Sequence, residues 1–213
     1  MIKRFIILAA LLAALLLYAA FAPIVAHRPS ESRWLKVDQN GKPLHAWSGP
    51  WSCVCDTQTG LLWEVKNDGE GIHDGYWSYS WFDGKTGEPN KGDCYFEEQR
   101  CDTLDLIRRA NMEKTCGYSD WRLPTTAELQ SLIFEQARPG EPMIDKTYFP
   151  HSKRGDYWTQ DAHQPLTGVF GYLKEGSKAI SFVDGKVVNL PYRNAAFVRL
   201  VTNPSKTCNT DFE

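Results

Sequence analysis

The sequence lacks the features that identify several common classes of protein. It has no glycine-rich phosphate-binding loop and no Walker-type motif. The five histidines are scattered, and Cys53-x-Cys55 has no second pair at the spacing of a zinc site. Without residues 1–26, the chain has 22 basic and 26 acidic side chains, a net charge of −4. This balance argues against nucleic-acid binding, which normally needs a basic footprint.

The N-terminal segment is strongly apolar. Residues 5–26 carry no charge and follow Lys3 and Arg4, and a segment of this length spans a hydrocarbon core of about 30 Å. The preceding cations favour a cytoplasmic N-terminus. We therefore predict an inner-membrane anchor over residues 1–26, with residues 27–213 periplasmic or extracellular. The alternative is an export signal cleaved at a weak site before His27, followed by secretion.

The rest of the chain divides by composition. Residues 27–46 are polar, include an Asn40-Gly41 turn signal and are predicted to be a linker. Residues 47–204 contain enough aromatic and aliphatic side chains for one folded domain, and residues 205–213 form a tail. All six cysteines follow the apolar segment, which favours disulfides in an oxidising compartment. Fifteen pairings are possible, and spacing alone does not choose among them.

Two helices are predicted before a series of short strands. The first covers residues 102–112, capped by Asp102 or Thr103, with Leu104, Ile107 and Ala110 on its apolar face. The second follows Pro124 and begins with a capping box formed by Thr125 and Glu128. Its apolar stripe is Leu129, Leu132 and Ile133, which predicts about three turns.

Strands are predicted before and after the helices. The first covers residues 61–65, and the later ones cover residues 157–159, 169–173, 179–183, 186–190 and 195–201. Asp184-Gly185 is predicted to be a hairpin turn. Helices followed by an antiparallel meander indicate the α+β class, and this order fits a C-type lectin-like domain.

Aromatic side chains alternate along residues 76–82, with Trp77, Tyr79 and Trp81 on one face. Such rings either stack on the apolar faces of sugars or fill the core of a small domain. The following loop, residues 83–93, contains Glu88-Pro89-Asn90, which superficially resembles a tripeptide of C-type lectins. It matches no calcium-binding spacing, so we predict no metal and no cofactor.

No catalytic constellation is recognisable. No serine or cysteine nucleophile has a histidine partner by motif, and Glu97 and Glu98 are adjacent, so on a helix they do not face one another. Arg122 beside the capping-box glutamate is predicted to be structural. We expect a protein that is not an enzyme.

Several motifs together resemble one family. They include Asp120-Trp-Arg-Leu-Pro-Thr125 with Glu128-Leu129, Gly60-Leu-Leu-Trp-Glu-Val-Lys66, Gly71-Ile-His-Asp74, Tyr157-Trp-Thr159 and Val198-Arg-Leu-Val201. Over roughly residues 50–202 the chain resembles the DUF1566, or Lcl C-terminal domain, family. It is more distantly similar to the formylglycine-generating enzymes, but it lacks the cysteine pair that those enzymes use.

The resemblance implies roles for particular residues. Cysteines at positions like 53, 94, 101 and 116 recur in the family, whereas Cys55 and Cys208 resemble additions, and the pairing that respects this is Cys94–Cys101, Cys53–Cys116 and Cys55–Cys208. The resemblance implies structural roles for Trp63, Asp120, Trp121, Arg122, Pro124, Thr125 and Glu128. Because a better-known relative binds sulfated glycans in adhesion, carbohydrate is the implied ligand, and we predict Trp77, Tyr79, Trp81 and Tyr157 as contact residues.

Two functions remain open at this point. The first is a membrane-anchored, exported and non-catalytic module that binds glycans. The second is a single-pass accessory subunit of a larger membrane complex, because alanines within residues 5–26 permit close helix–helix packing.

Overall fold

A four-stranded antiparallel sheet lies at the centre of the computed structural model, which describes residues 32–94, 101–204 and 208. Its strands are β1 (Trp34–Val37), β2 (Cys53–Asp56), β3 (Leu61–Glu64) and β8 (Val201–Thr202), in the order β1-β2-β3-β8. The register places Val37 opposite Cys53, and Cys53 opposite Glu64. The described residues from Arg33 onward form one compact unit.

Strand β1 corrects the predicted linker over residues 27–46. Its residues pair with β2, and Val37 is fully buried. Arg33, just before the strand, forms a two-point ion pair with the buried Asp56 at 2.7 and 3.1 Å. The alternation of Leu35 and Val37 with Lys36 and Asp38 was the available signal for a strand. The folded domain therefore begins before Ala46.

The predicted membrane anchor lies outside the residues that the structure describes. Within the described ranges, no helix has the length and apolar character required to cross a bilayer.

Helix α1 (Thr103–Glu113) is capped as predicted, because the Asp102 carboxylate accepts a hydrogen bond from the backbone of Asp105 at 3.0 Å. Its buried face matches the predicted one in part, since Ala110 is buried as predicted and the partly buried Ile107 packs against the core. Thr103, Leu106 and Ala110 are fully buried, which rotates the stripe away from Leu104.

Helix α2 (Thr126–Gln130) confirms the predicted capping box. The Thr125 hydroxyl accepts from the Glu128 backbone at 3.1 Å, and the Glu128 carboxylate accepts from the Thr125 backbone at 2.8 Å. Arg122 adds a two-point ion pair to Glu128, with both distances 2.8 Å. The hydrogen bond from Arg122 lowers the pKa of Glu128. The prediction of three turns is wrong, since the helix has only five residues, although Leu129 and Leu132 are buried.

The four other residues that were predicted to be structural lie in different environments. Trp63 and Trp121 are buried, and the indole of Trp121 donates to the carbonyl of Thr115 at 3.0 Å. The Pro124 carbonyl accepts from the backbone of Gln160 at 2.8 Å. Asp120 is exposed and acts on Arg122 only through its charge.

A second antiparallel sheet follows the helices. Strand β6 (Glu175–Ser181) is its centre, and it pairs with β4 (Asp156–Trp158), β5 (Gln164–Pro165) and β7 (Val187–Pro191). The predicted strand over residues 169–173 is wrong, because Gly168–Phe170 form a 3-10 turn instead. Of the predicted strand over residues 195–201, only Val201 lies in a strand, β8. The described residues thus confirm the α+β class with antiparallel strands.

Three disulfides tie these elements together, and they are the three implied by the resemblance. Cys53 on β2 is joined to Cys116 beyond α1, with Cα atoms 6.4 Å apart. Cys55 is joined to Cys208 and Cys94 to Cys101, with Cα separations of 5.4 and 5.7 Å. The first of these disulfides fixes the C-terminal end of α1 against the central sheet.

Candidate functional site

Three of the four aromatic residues predicted to contact a ligand are part of the core. Tyr79, Trp81 and Tyr157 are each at most 3% exposed. The Tyr79 hydroxyl donates to Ile72 O at 2.7 Å, and the Trp81 indole donates to Thr159 O at 2.8 Å. Tyr157 is enclosed between Phe182 and Phe197, with ring centroids 4.3 and 5.3 Å away. Their assignment as contact residues is therefore wrong for this structure.

Trp77 differs from the other three because it is only half-buried. Its ring lies edge-on to Tyr76, 5.9 Å between centroids, and Tyr76 is 69% exposed. The role of Trp77 in binding stays a prediction.

A cleft of about 640 Å³ opens at one end of the central sheet. Because the strands are antiparallel, the end of β1, the start of β2 and the end of β3 meet there. The chain enters β1 at the other end, at Trp34. The walls of the cleft come from His73 and from residues 39–40, 50–52, 64–67, 113–116 and 150–151.

The floor of the cleft contains a buried carboxylate, Glu64, which is 1% exposed. Its Oε1 lies 2.8 Å from Lys66 Nζ and 2.6 Å from His73 Nδ1. Its Oε2 accepts from the backbone N–H of Leu200 at 3.1 Å. Because an ionised carboxylate only accepts hydrogen bonds, His73 donates to it from Nδ1.

Electrostatics keep Glu64 ionised. Burial alone would raise its pKa, but the charge of Lys66 and the hydrogen bond from His73 outweigh burial and hold the pKa far below its ordinary value. A carboxylate in this state is a poor general base, because its lone pairs are already engaged and it has little affinity for a proton.

A second buried cation lies behind the floor. Arg199 is fully buried and donates to the Glu64 carbonyl and to the Ser152 hydroxyl, both at 2.6 Å. Its guanidinium also lies over the ring of Phe149, 4.8 Å from the centroid. These contacts join β3 to the segment that forms the far wall of the cleft.

The rim of the cleft offers groups that suit a polar ligand. Trp51 is half-buried, its indole donates to Tyr148 O at 2.9 Å, and Lys36 Nζ lies 3.8 Å from its ring centroid. Asn40 supplies an amide, and the exposed Lys114 a cation. Lys114 has a left-handed backbone, with φ of 51°, because it forms the C-cap of α1.

The predicted site residues did not include Glu64, Lys66, His73 or Arg199, which occur only within the family motifs. A signal for them was present. Glu64 ends the apolar strand β3 and Lys66 follows two residues later, a spacing that in an extended chain points both side chains to one side. Arg199 is likewise a lone cation within an apolar segment. Such charges are rarely buried unless they are paired, so the pattern indicated an internal ion cluster.

Within residues 32–94, 101–204 and 208, no group of three or more His, Cys, Asp or Glu side chains is arranged to hold a metal ion.

These features define an α+β domain with three disulfides and a polar cleft of ligand size. The profile of the Lcl C-terminal domain family matches residues 52–202, and the chain belongs to this family. No curated protein matches it at a significant level, and no solved structure does.

Proposed function

We propose that this protein is a membrane-anchored, exported and non-catalytic binding module whose ligand is a carbohydrate held in the cleft beside Glu64. The predicted anchor over residues 5–26 supports attachment to the inner membrane with the domain outside the cytoplasm. Three disulfides favour the same oxidising location.

The observation that carries this proposal is the composition of the cleft. Its volume of about 640 Å³ is that of a small-molecule site. Its wall combines the Asn40 amide, the Lys114 cation and the Trp51 ring. Hydroxyl-rich ligands with apolar ring faces need this mixture of hydrogen-bonding groups and aromatic surface.

The floor supports binding rather than catalysis. Glu64 and Lys66 bind each other, and Glu64 also accepts from His73 and Leu200. Their hydrogen-bonding capacity is used to hold the floor together. We infer that the cluster keeps the cleft in one shape, so that little conformational entropy is lost when a ligand binds.

We also propose a C-type lectin-like arrangement for the domain. Two helices that precede an antiparallel sheet, and a last strand (β8) that returns beside β3, support this assignment. An experimental structure that does not superpose on C-type lectin-like domains would remove this part of the proposal.

The test is a glycan array probed with the full-length protein in mild detergent. Lys114→Asn removes the cation, and asparagine tolerates a left-handed backbone. Lys174→Asn is the matched control, because Lys174 is also exposed but lies outside the cleft. We expect binding by the wild type and the control, and a loss of about tenfold in Lys114→Asn, as for one charged hydrogen bond.

Silence across neutral and acidic glycans would overturn the proposal. Binding that Lys114→Asn and Asn40→Ala both leave unchanged would move the site away from this cleft.

The alternative function, an accessory subunit of a membrane complex, is favoured by a different feature. Residues 168–173 form a surface loop without a charged side chain, in which Val169 and Tyr172 are each 81% exposed. Backbone bonds from Phe170 to Thr167 and from Leu173 to Phe170 fix its shape. Exposed apolar groups close together are typical of protein contacts.

Purification from native membranes, followed by mass spectrometry of co-eluting proteins, tests this alternative. A stoichiometric partner that is lost in Val169→Ser/Tyr172→Ser but kept in Val187→Ser would favour the subunit. An isolated protein would count against it. A peptide that begins at Met1 would support the anchor, and a mature chain that begins at His27 would refute it.

A further inference from the structure

A second cavity of about 200 Å³ adjoins the cleft. The two cavities share three lining residues, Asn67, His73 and Glu113. Beyond these, the second cavity is lined by Arg109 and by Gly69, Gly71 and Ile72. These three residues therefore form the boundary between the two cavities.

Glu113 forms this boundary with two long contacts. Its Oε2 lies 3.4 Å from His73 Nε2, and its Oε1 lies 3.4 Å from Arg109 Nη1. Both distances exceed the usual range for charged hydrogen bonds, and the Glu113 side chain is 44% exposed. Such contacts are easily exchanged for contacts with a ligand.

His73, in contrast, is held firmly. Its Nδ1 lies 2.6 Å from the buried Glu64, so the imidazole keeps its place when Glu113 moves. Gly71, which also lines the second cavity, is exposed, and a Cβ built on it would meet no atom within 4 Å.

From these contacts we infer that the two cavities are one groove, which takes a chain of several sugars that passes over His73 and displaces Glu113. This inference rests on the proposed function, and it adds chain length as a determinant of affinity. Arg109, which lines the second cavity, then binds a sugar there through its guanidinium, a charged hydrogen-bond donor.

The test is calorimetry of the full-length protein in detergent with two oligosaccharide series, each running from the monomer to the octamer. One series is the neutral oligomers of N-acetylglucosamine, and the other is the acidic oligomers of galacturonic acid. We expect affinity in the series that binds to rise with length and then to level off once the groove is filled.

Two variants with a matched control sharpen the test. Arg109→Gln is expected to weaken binding of the long oligomers about tenfold and to leave the short ones unchanged, because it removes one charged donor from the second cavity alone. Arg138→Gln, at an exposed arginine outside both cavities, is expected to change neither. Glu113→Ala is expected to tighten the long oligomers, since no contact then has to be displaced.

The possible outcomes distinguish failure of the single groove from failure of the proposed function. Affinity that is independent of length, or an equal effect of Arg109→Gln on monomer and octamer, overturns the single groove and leaves the cleft as a site for one sugar. Absence of binding for every oligomer, together with a silent glycan array, overturns the proposed function and this inference with it.

Discussion

Replacement of Glu64 by glutamine should lower the free energy of unfolding far more than so small a change in side-chain shape suggests. Glutamine retains the size of the side chain and an oxygen that accepts from Leu200, but it removes the negative charge next to Lys66. Lys66 is 4% exposed and lies 2.8 Å from the carboxylate. A buried cation that loses its counter-ion destabilises a protein by about 3–5 kcal/mol.

The same reasoning predicts a smaller cost for removing both charges. Glu64→Gln with Lys66→Met leaves no unpaired charge between these two positions, so the double variant should lose less stability than the sum of the single variants. Urea unfolding with the disulfides intact measures each cost. Additive losses, or a Glu64→Gln variant within about 1 kcal/mol of the wild type, would refute the claim that the pair is tightly coupled.

Acid unfolding adds an independent check. Because the folded-state pKa of Glu64 is held below its ordinary value, its contribution to stability is present above the unfolded pKa of about 4.3. The contribution is then lost as the pH falls towards the folded pKa. Below about pH 4.3, the wild type should therefore lose its advantage over Glu64→Gln. An unchanged difference down to the acid limit would contradict this.

Three further predictions concern other parts of the fold. Thr125→Ala should cost about 1 kcal/mol in urea unfolding, because it removes half of the capping box of α2, whereas Thr125→Ser should cost little. Removing Cys55–Cys208, which spans 153 residues, should cost about 2.7 kcal/mol more than removing Cys94–Cys101, which spans 7; equal costs would contradict the loop-entropy argument. Trp47→Ala should leave the free energy of unfolding within about 0.5 kcal/mol, since Trp47 is 83% exposed, and a larger loss would show an unrecognised contact.

Local sequence patterns predicted the features that depend on a few neighbouring residues. The Thr125–Glu128 capping box and the Asp102 cap depend on side chains within three positions of the backbone they bind. The hairpin turn at Asp184-Gly185 was predictable for the same reason, because Gly185 adopts a φ of 75° that suits glycine. The disulfides needed the family resemblance, since spacing leaves many pairings open.

Errors arose where tertiary contacts decide the outcome. Residues 169–173 have the apolar composition of a strand, but no neighbouring strand pairs with them in the described structure, and a 3-10 turn forms there. Alternation correctly placed Tyr79 and Trp81 on one face. It did not reveal that this face packs against Trp158 and Thr159, which are about eighty positions later in the sequence.

The cleft is the clearest case of a feature beyond the reach of local patterns. Its walls come from segments spread between Gln39 and His151, and no window of the sequence contains more than a small part of it. Two long-range connections bring these segments together. The Cys53–Cys116 disulfide holds the end of α1, with Glu113 and Lys114, against β2. Arg199 holds β3 to Ser152 on the other side. The sequence contains a signal for each connection. The two cysteines indicate the first, and the single cation within an apolar segment indicates the second. The position of the cleft is therefore encoded by residues that stabilise the fold, whereas its chemical character is set by the exposed groups that these residues hold in place.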